Sequence, residues 1–196
     1  MKHLLPFLCL LALAGCVTVP PAPPLPAGTP SNNWILAGRI AVRAGDQGWH
    51  AGLLWHERAD RYDLRLEGPL GQGAAELSGR PGQVTLRTAD GKRYQAASPE
   101  QLLVRVMGVR MPVSGLRYWV RGRPAPGPVT GEQRDKAGHL TVLIQDGWVI
   151  HYEGYTRVRG RALPARMRLA NGDVHLRLIV DRWENGAGAA STAGSR

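Results

Sequence analysis

The chain has 196 residues, 20% of them charged, and a formal net charge of +10, from 25 lysines and arginines against 15 carboxylates. That balance suits acidic partners or anionic lipid surfaces. The arginines alternate with apolar residues instead of clustering, which argues against nucleic acid as a partner.

Lys2 precedes an apolar run over residues 4–14 that ends in Leu13-Ala14-Gly15-Cys16, the layout of a secretory signal. A membrane span takes roughly 20 apolar residues, so this run is too short to cross and residues 1–15 are expected to be removed on export. The tetrapeptide resembles the bacterial lipobox, in which the cysteine is acylated and becomes the first residue, which makes Cys16 the expected lipidation site. Val17 stands where, by resemblance to the enterobacterial sorting rule, an aspartate would favour the inner membrane. The expected location is therefore the outer membrane, lipid-anchored and facing the periplasm. Each acyl methylene adds about 0.8 kcal/mol to membrane affinity, so two or three chains hold stably where one would not.

Residues 16–33 include Pro20-Pro21-Ala22-Pro23-Pro24-Leu25-Pro26, a semi-rigid tether extending at about 3 Å per residue. With Cys9 lost and Cys16 acylated, no disulfide or cysteine metal site remains. Residues 34–183 amount to one domain, and the Gly-, Ala- and Ser-rich residues 184–196 read as a disordered tail.

Within the domain, Leu36, Gly38, Ile40 and Val42 alternate with Ala37, Arg39, Ala41 and Arg43, the pattern of a half-buried strand. Trp49, Ala51, Leu53 and Trp55 repeat it, as do Tyr62, Leu64 and Leu66 between charged neighbours. Further strands are expected at 74–78, 83–88 and 92–96, the last two joined by a two-residue turn at Asp90-Gly91. Ser98-Pro99-Glu100-Gln101 then offers an N-cap serine, a proline at the first helical position and a glutamine three residues after the cap. A helix follows with Leu102, Leu103 and Val106 on one face and Gly108 as its stop; a second is expected over 113–121. After a proline-rich loop at 123–129, strands resume at 140–145 and 148–153 around Asp146-Gly147, then at 166–169 and 174–183 around Asn171-Gly172. About ten antiparallel strands with two helices mid-chain predict a mainly β fold: an unclosed antiparallel barrel, or curved sheet, covered by a helical lid and enclosing a hollow.

Several strings resemble one family, the outer-membrane lipoprotein receptor LolB: Gly68-Pro69-Leu70-Gly71, Leu116-Arg117-Tyr118-Trp119-Val120-Arg121-Gly122, Gly147-Trp148, Tyr152-Glu153-Gly154-Tyr155, Leu163-Pro164 and Asp181-Arg182-Trp183. They fall in order over nearly the whole domain. The resemblance implies an apolar cavity that accepts acyl chains of client lipoproteins from a periplasmic carrier, LolA, and passes them to outer-membrane phospholipids. It also implies that Leu70, in a loop between strands, is exposed and enters the membrane. Trp55, Leu64, Leu66, Trp119 and Trp148 are the candidate cavity residues, and Arg39, Arg43, Arg65 and Arg121 are candidates for steering an acidic carrier face or lipid phosphates.

No nucleophile elbow or phosphate loop is present, the histidines lack ligand spacing, and Ser98 is accounted for by its cap. The expectation is a monomer without catalytic residues, metal or cofactor. The alternatives are a structural envelope lipoprotein and a carrier of another lipid.

Overall fold

The computed structural model describes residues 33–68 and 74–185. In chain order they form β1 (Trp34–Ala44), β2 (Gln47–Arg58), β3 (Arg61–Glu67), β4 (Ala75–Arg80), β5 (Gln83–Arg87), β6 (Arg93–Ala96), α1 (Pro99–Met107), α2 (Val113–Trp119), β7 (Val129–Arg134), β8 (Leu140–Gln145), β9 (Trp148–Val158), β10 (Arg161–Asn171) and β11 (Val174–Asn185). The leader, Cys16, the proline-rich tether, Leu70 and residues 186–196 lie outside the described residues.

All eleven strands join one antiparallel sheet in the order β6-β5-β4-β3-β2-β1-β11-β10-β9-β8-β7. The first and last strands meet at its middle, with Leu36 opposite Trp183 and Val42 opposite Leu176. β6 and β7 are the two edges, so the sheet is unclosed, and α1 and α2 are the connection between them. Topology therefore makes these helices a roof over the inner face. The alternation read in the sequence sets which face that is: Leu36, Ile40, Val42, Leu53, Trp55, Leu64 and Leu66 are buried, while Arg39, Arg43 and Arg65 are exposed. Each buried leucine contributes roughly 1.5–3 kcal/mol, which makes register on this face costly to change.

The helix signals act as expected. The Ser98 hydroxyl accepts the Gln101 N–H at 3.3 Å, Pro99 opens α1, and Gly108 closes it at φ 70°, donating its N–H to Val104. Leu102 and Leu103 are buried beneath it.

Four expectations need correction. Residues 129–134 form an eleventh strand, β7, absent from the sequence reading because an edge strand that is mostly exposed carries no apolar alternation. The turn at Asp90-Gly91 is wider than two residues: Thr88 N–H bonds to Lys92 O at 3.0 Å and Gly91 N–H to Thr88 O at 2.9 Å, a three-residue loop with Gly91 at φ 79°. The β10–β11 turn centres on Gly172-Asp173, because Asn171 still pairs with Val174. β11 also continues through Glu184 and Asn185, paired with Ile35 and Trp34, two residues into the segment read as tail.

Candidate functional site

The inner face and the two helices enclose a single buried apolar cluster. All five candidate cavity residues belong to it, at 4% exposure or less, but they stand in different parts of it. Trp55 lies in an aromatic group, its ring centroid 5.4 Å from Trp34 and 6.4 Å from Tyr62, with Trp183 beyond Trp34 at 5.6 Å. Leu64 and Leu66 sit mid-sheet on β3, opposite Trp55 and Leu53. Whereas Leu64 borders a furrow of similar volume among the charged residues of β2–β5, Trp119 and Trp148 line a cleft of about 590 Å³ beside the helices. Its walls are α1 (Gln101, Val104, Arg105), the start of α2 (Ser114, Gly115) and the hairpin-end residues Asp146 and Asn171. Val104, 45% exposed, is an apolar side chain at its rim.

The Trp119 indole folds back along α2 onto Gly115, where an added Cβ would stand 2.5 Å from Cη2. Gly115 is therefore the residue that permits this tryptophan's position. The indole N–H donates to Gln145 Oε1 at 2.9 Å, and the same oxygen accepts the Ala125 N–H at 2.8 Å while Gln145 Nε2 donates to Ala125 O at 2.8 Å. A fully buried amide is costly unless satisfied. Here it ties the chain leaving α2 to β8.

A second polar link joins α2 to β2. Glu57, 4% exposed, accepts Arg117 Nε at 2.8 Å and the Trp55 indole N–H at 3.2 Å, and Arg117 also pairs with it through Nη2. Burial pushes the Glu57 carboxyl above its ordinary pKa, and Arg117 opposes that push. The Arg117 guanidinium lies 5.3 Å over the Tyr62 ring. Between the helices, Glu100 of α1 accepts the Ser114 N–H at 2.8 Å, supplying α2 with the cap that Pro112 does not provide. Glu100, Gln145 and the Glu57–Arg117 pair were missed as lid-fixing residues because nothing in their local sequence marks partners 14 to 60 positions away.

The four steering arginines are not equivalent. Arg39 is paired with Asp181, and Arg65 with Glu67 and Glu76. Arg121 is half-buried, its pKa brought down to about 10 by burial and then by Arg123 and Arg161 nearby. Among the described residues the Arg43 side chain bonds only to the carbonyl of Gly45. Among the described residues no group of three or more His, Cys, Asp or Glu could hold a metal ion, and no helix is long and apolar enough to cross a membrane.

The unclosed antiparallel sheet with its two helices is similar in fold to two solved structures. A domain described as outer membrane lipoprotein-sorting, from Vibrio parahaemolyticus, superposes with a TM-score of 0.55 over 82% of this chain and 88% of its own at 7% identity. A LolA superfamily protein from Nitrosomonas europaea superposes at 0.50 over 80% and 87%, also at 7% identity. At that identity the likeness is one of fold.

The profile of the family "Outer membrane lipoprotein LolB" matches residues 32–183, and the chain belongs to that family. A relative from Pseudomonas fluorescens is 44% identical over 152 residues, 78% of this chain and 74% of its own, and one from Ectopseudomonas mendocina is 38% identical over 197 residues, 94% and 97%. Both carry the name outer-membrane lipoprotein LolB. The protein is an outer-membrane lipoprotein of the lipoprotein-localisation system, and the family is not one of known enzymes.

Proposed function

We propose that this protein accepts lipoproteins from a LolA-like periplasmic carrier, holds their acyl chains in the interior beneath α1 and α2, and delivers them to the inner leaflet of the outer membrane. The observation that carries this is the 590 Å³ cleft, within the size range of lipid and cofactor sites, floored by Trp119 and Trp148 of the buried cluster. An acyl chain entering there would meet Val104 and Pro112 and, at the floor, Trp119 and Trp148, between the polar walls of Gln101, Arg105 and Asp146. Trp55, Leu64 and Leu66 would be reached only as the lid moves, and that movement must break the Glu57–Arg117 and Gln145 links.

The transfer is a binding reaction and makes no bond. Acyl chains leave the carrier because this interior holds them more tightly, and leave this interior because the bilayer holds them better still. A step of about 1.4 kcal/mol gives tenfold direction without a nucleotide. Cys16 anchors the monomer, and Leu70 acts as the wedge that contacts phospholipid, its roughly 1.5–3 kcal/mol of burial enough to orient and too little to anchor.

The test is to mix the domain lacking its lipid anchor with carrier loaded with a labelled lipoprotein. Movement of the label onto this protein is expected. Retention on a competent carrier would overturn the reading in favour of a scaffold or a carrier of another lipid.

A further inference from the structure

The outer face of the sheet carries paired and unpaired arginines in unequal shares. On the β2–β5 side Arg58 pairs with Asp63, Arg65 with Glu67 and Glu76, and Arg87 with Glu76, while Arg61 and Arg80 have no carboxylate partner among the described residues. Across β1, β11 and β10, where Arg182 pairs with Glu184, more of the arginines are left unpaired. All 15 carboxylate side chains of the sequence fall within the described residues, yet none lies within ion-pairing distance of Arg43, Arg166 or Arg177. Arg168 pairs with Glu153 and Arg39 with Asp181, and Asp46 and Asp173 stand in the adjacent turns.

The register concentrates these cations. Arg177 is opposite Arg168 on β10 and opposite Ala41 on β1; Arg43 is opposite His175, and His151 is opposite Arg168. Like charges directly opposed across strands are destabilising. The small side chains of Ala41 and Ala170 leave a basin of about 350 Å³ bordered by Arg43, Arg168, Arg177, His151 and His175. Guanidinium groups around a shallow, small-residue floor match an oxyanion, to which arginine bonds in a fork.

We propose that this basin binds the phosphate of an anionic phospholipid headgroup, seating the protein with the outer face of its sheet on the bilayer. Two placements select a membrane over a soluble acidic protein. Arg177 also borders the neighbouring furrow lined by Arg39, His50, Glu67 and Gly68, which is where β3 hands over to the segment carrying Leu70. The lid cleft lies on the opposite, inner side of the sheet, so this seating leaves it open to an incoming carrier. The inference rests on the proposed delivery to the bilayer.

The test uses the lipidated protein in vesicles. With Cys9 removed and Cys16 acylated, one introduced cysteine labels cleanly, either Leu54→Cys on the outer face or Val104→Cys on α1. Energy transfer to a headgroup dye should be stronger from Leu54→Cys in vesicles containing phosphatidylglycerol, and this preference should fall in pure phosphatidylcholine and in Arg43→Gln/Arg177→Gln. Each arginine near an anionic surface shifts the equilibrium roughly fivefold, so the double variant should shift it by about 25-fold. Both arginines are exposed, and an unchanged thermal melt confirms folding. Equal transfer from the two positions in every vesicle overturns the proposal. So does a double variant that loses uptake from carrier while keeping its orientation, which would assign the basin to a protein. Lipoprotein delivery by the Leu54→Cys protein, whose label lies away from the cleft, separates the two readings in the same vesicles: delivery without the orientation sinks the basin alone, and orientation without delivery sinks the transfer function alone.

Discussion

Glu57 illustrates how a single residue can carry a polar link through an apolar interior. Its carboxylate is tolerated because Arg117 and the Trp55 indole both bond to it. Removing one partner of a buried pair leaves the other charge uncompensated, so Arg117→Leu should cost about 3 kcal/mol in urea unfolding, and Glu57→Gln added to it should recover part of the loss. The pH dependence has a definite sign. Burial already raises the folded-state Glu57 pKa, and losing Arg117 raises it further. A raised carboxyl contributes stability that is fully present below its unfolded value and is lost as pH rises through the folded one, so the Arg117→Leu deficit should shrink as pH is lowered from 7 towards 5. Gly115 makes a steric case of the same kind: Gly115→Ala forces the Trp119 ring away and should cost about 1–3 kcal/mol, with a shift in tryptophan emission. The sequence offers a glycine and a tryptophan four residues apart on a short helix. That the ring lies back over the glycine follows only from what the sheet leaves free.

Elements differ in how far they could be read in advance. β1, β2 and β3 announce themselves by apolar alternation because one face of each is covered and the other is wet. α1 announces itself through Ser98, Pro99 and Gly108, whose effects are local to one turn. β7 does not, since Val129, Thr130, Glu132 and Gln133 are exposed and its order derives from pairing with β8. The strand expected at 166–169 is the later part of β10, and its first part hides for another reason, because Pro164 cannot donate to the ladder and sits where the register with β9 shifts. The segment between α2 and β7 is held chiefly by Gln145, whose side chain replaces the pairing a strand would have given. Gln145→Leu should leave the Trp119 and Ala125 N–H groups without acceptors and cost about 2 kcal/mol or more, with faster amide exchange at Ala125.

For the whole molecule, the predictions concern contact with other bodies. Leu70→Glu should leave uptake from the carrier intact and lower delivery to vesicles; equal delivery would remove Leu70 from the membrane contact. Raising salt should slow hand-off from an acidic carrier face, and a salt-independent rate would argue against steering by charge. By itself the sequence determined the periodicity of the inner strands, one capped helix and the family strings, and it set the expectation of a signal and a lipobox cysteine, all properties of neighbouring residues. Tertiary structure decided that β1 and β11 meet mid-sheet, that the two edges stay apart and that the helices span the gap. It also separated Trp119 and Trp148 at a cleft from Trp55 in an aromatic group, and Arg43 and Arg177 in a basin from Arg39 and Arg65 in ion pairs. These outcomes depend on register between strands more than 100 residues apart, such as Ala41 with Arg177, and no local pattern encodes which side chains such a pairing brings together.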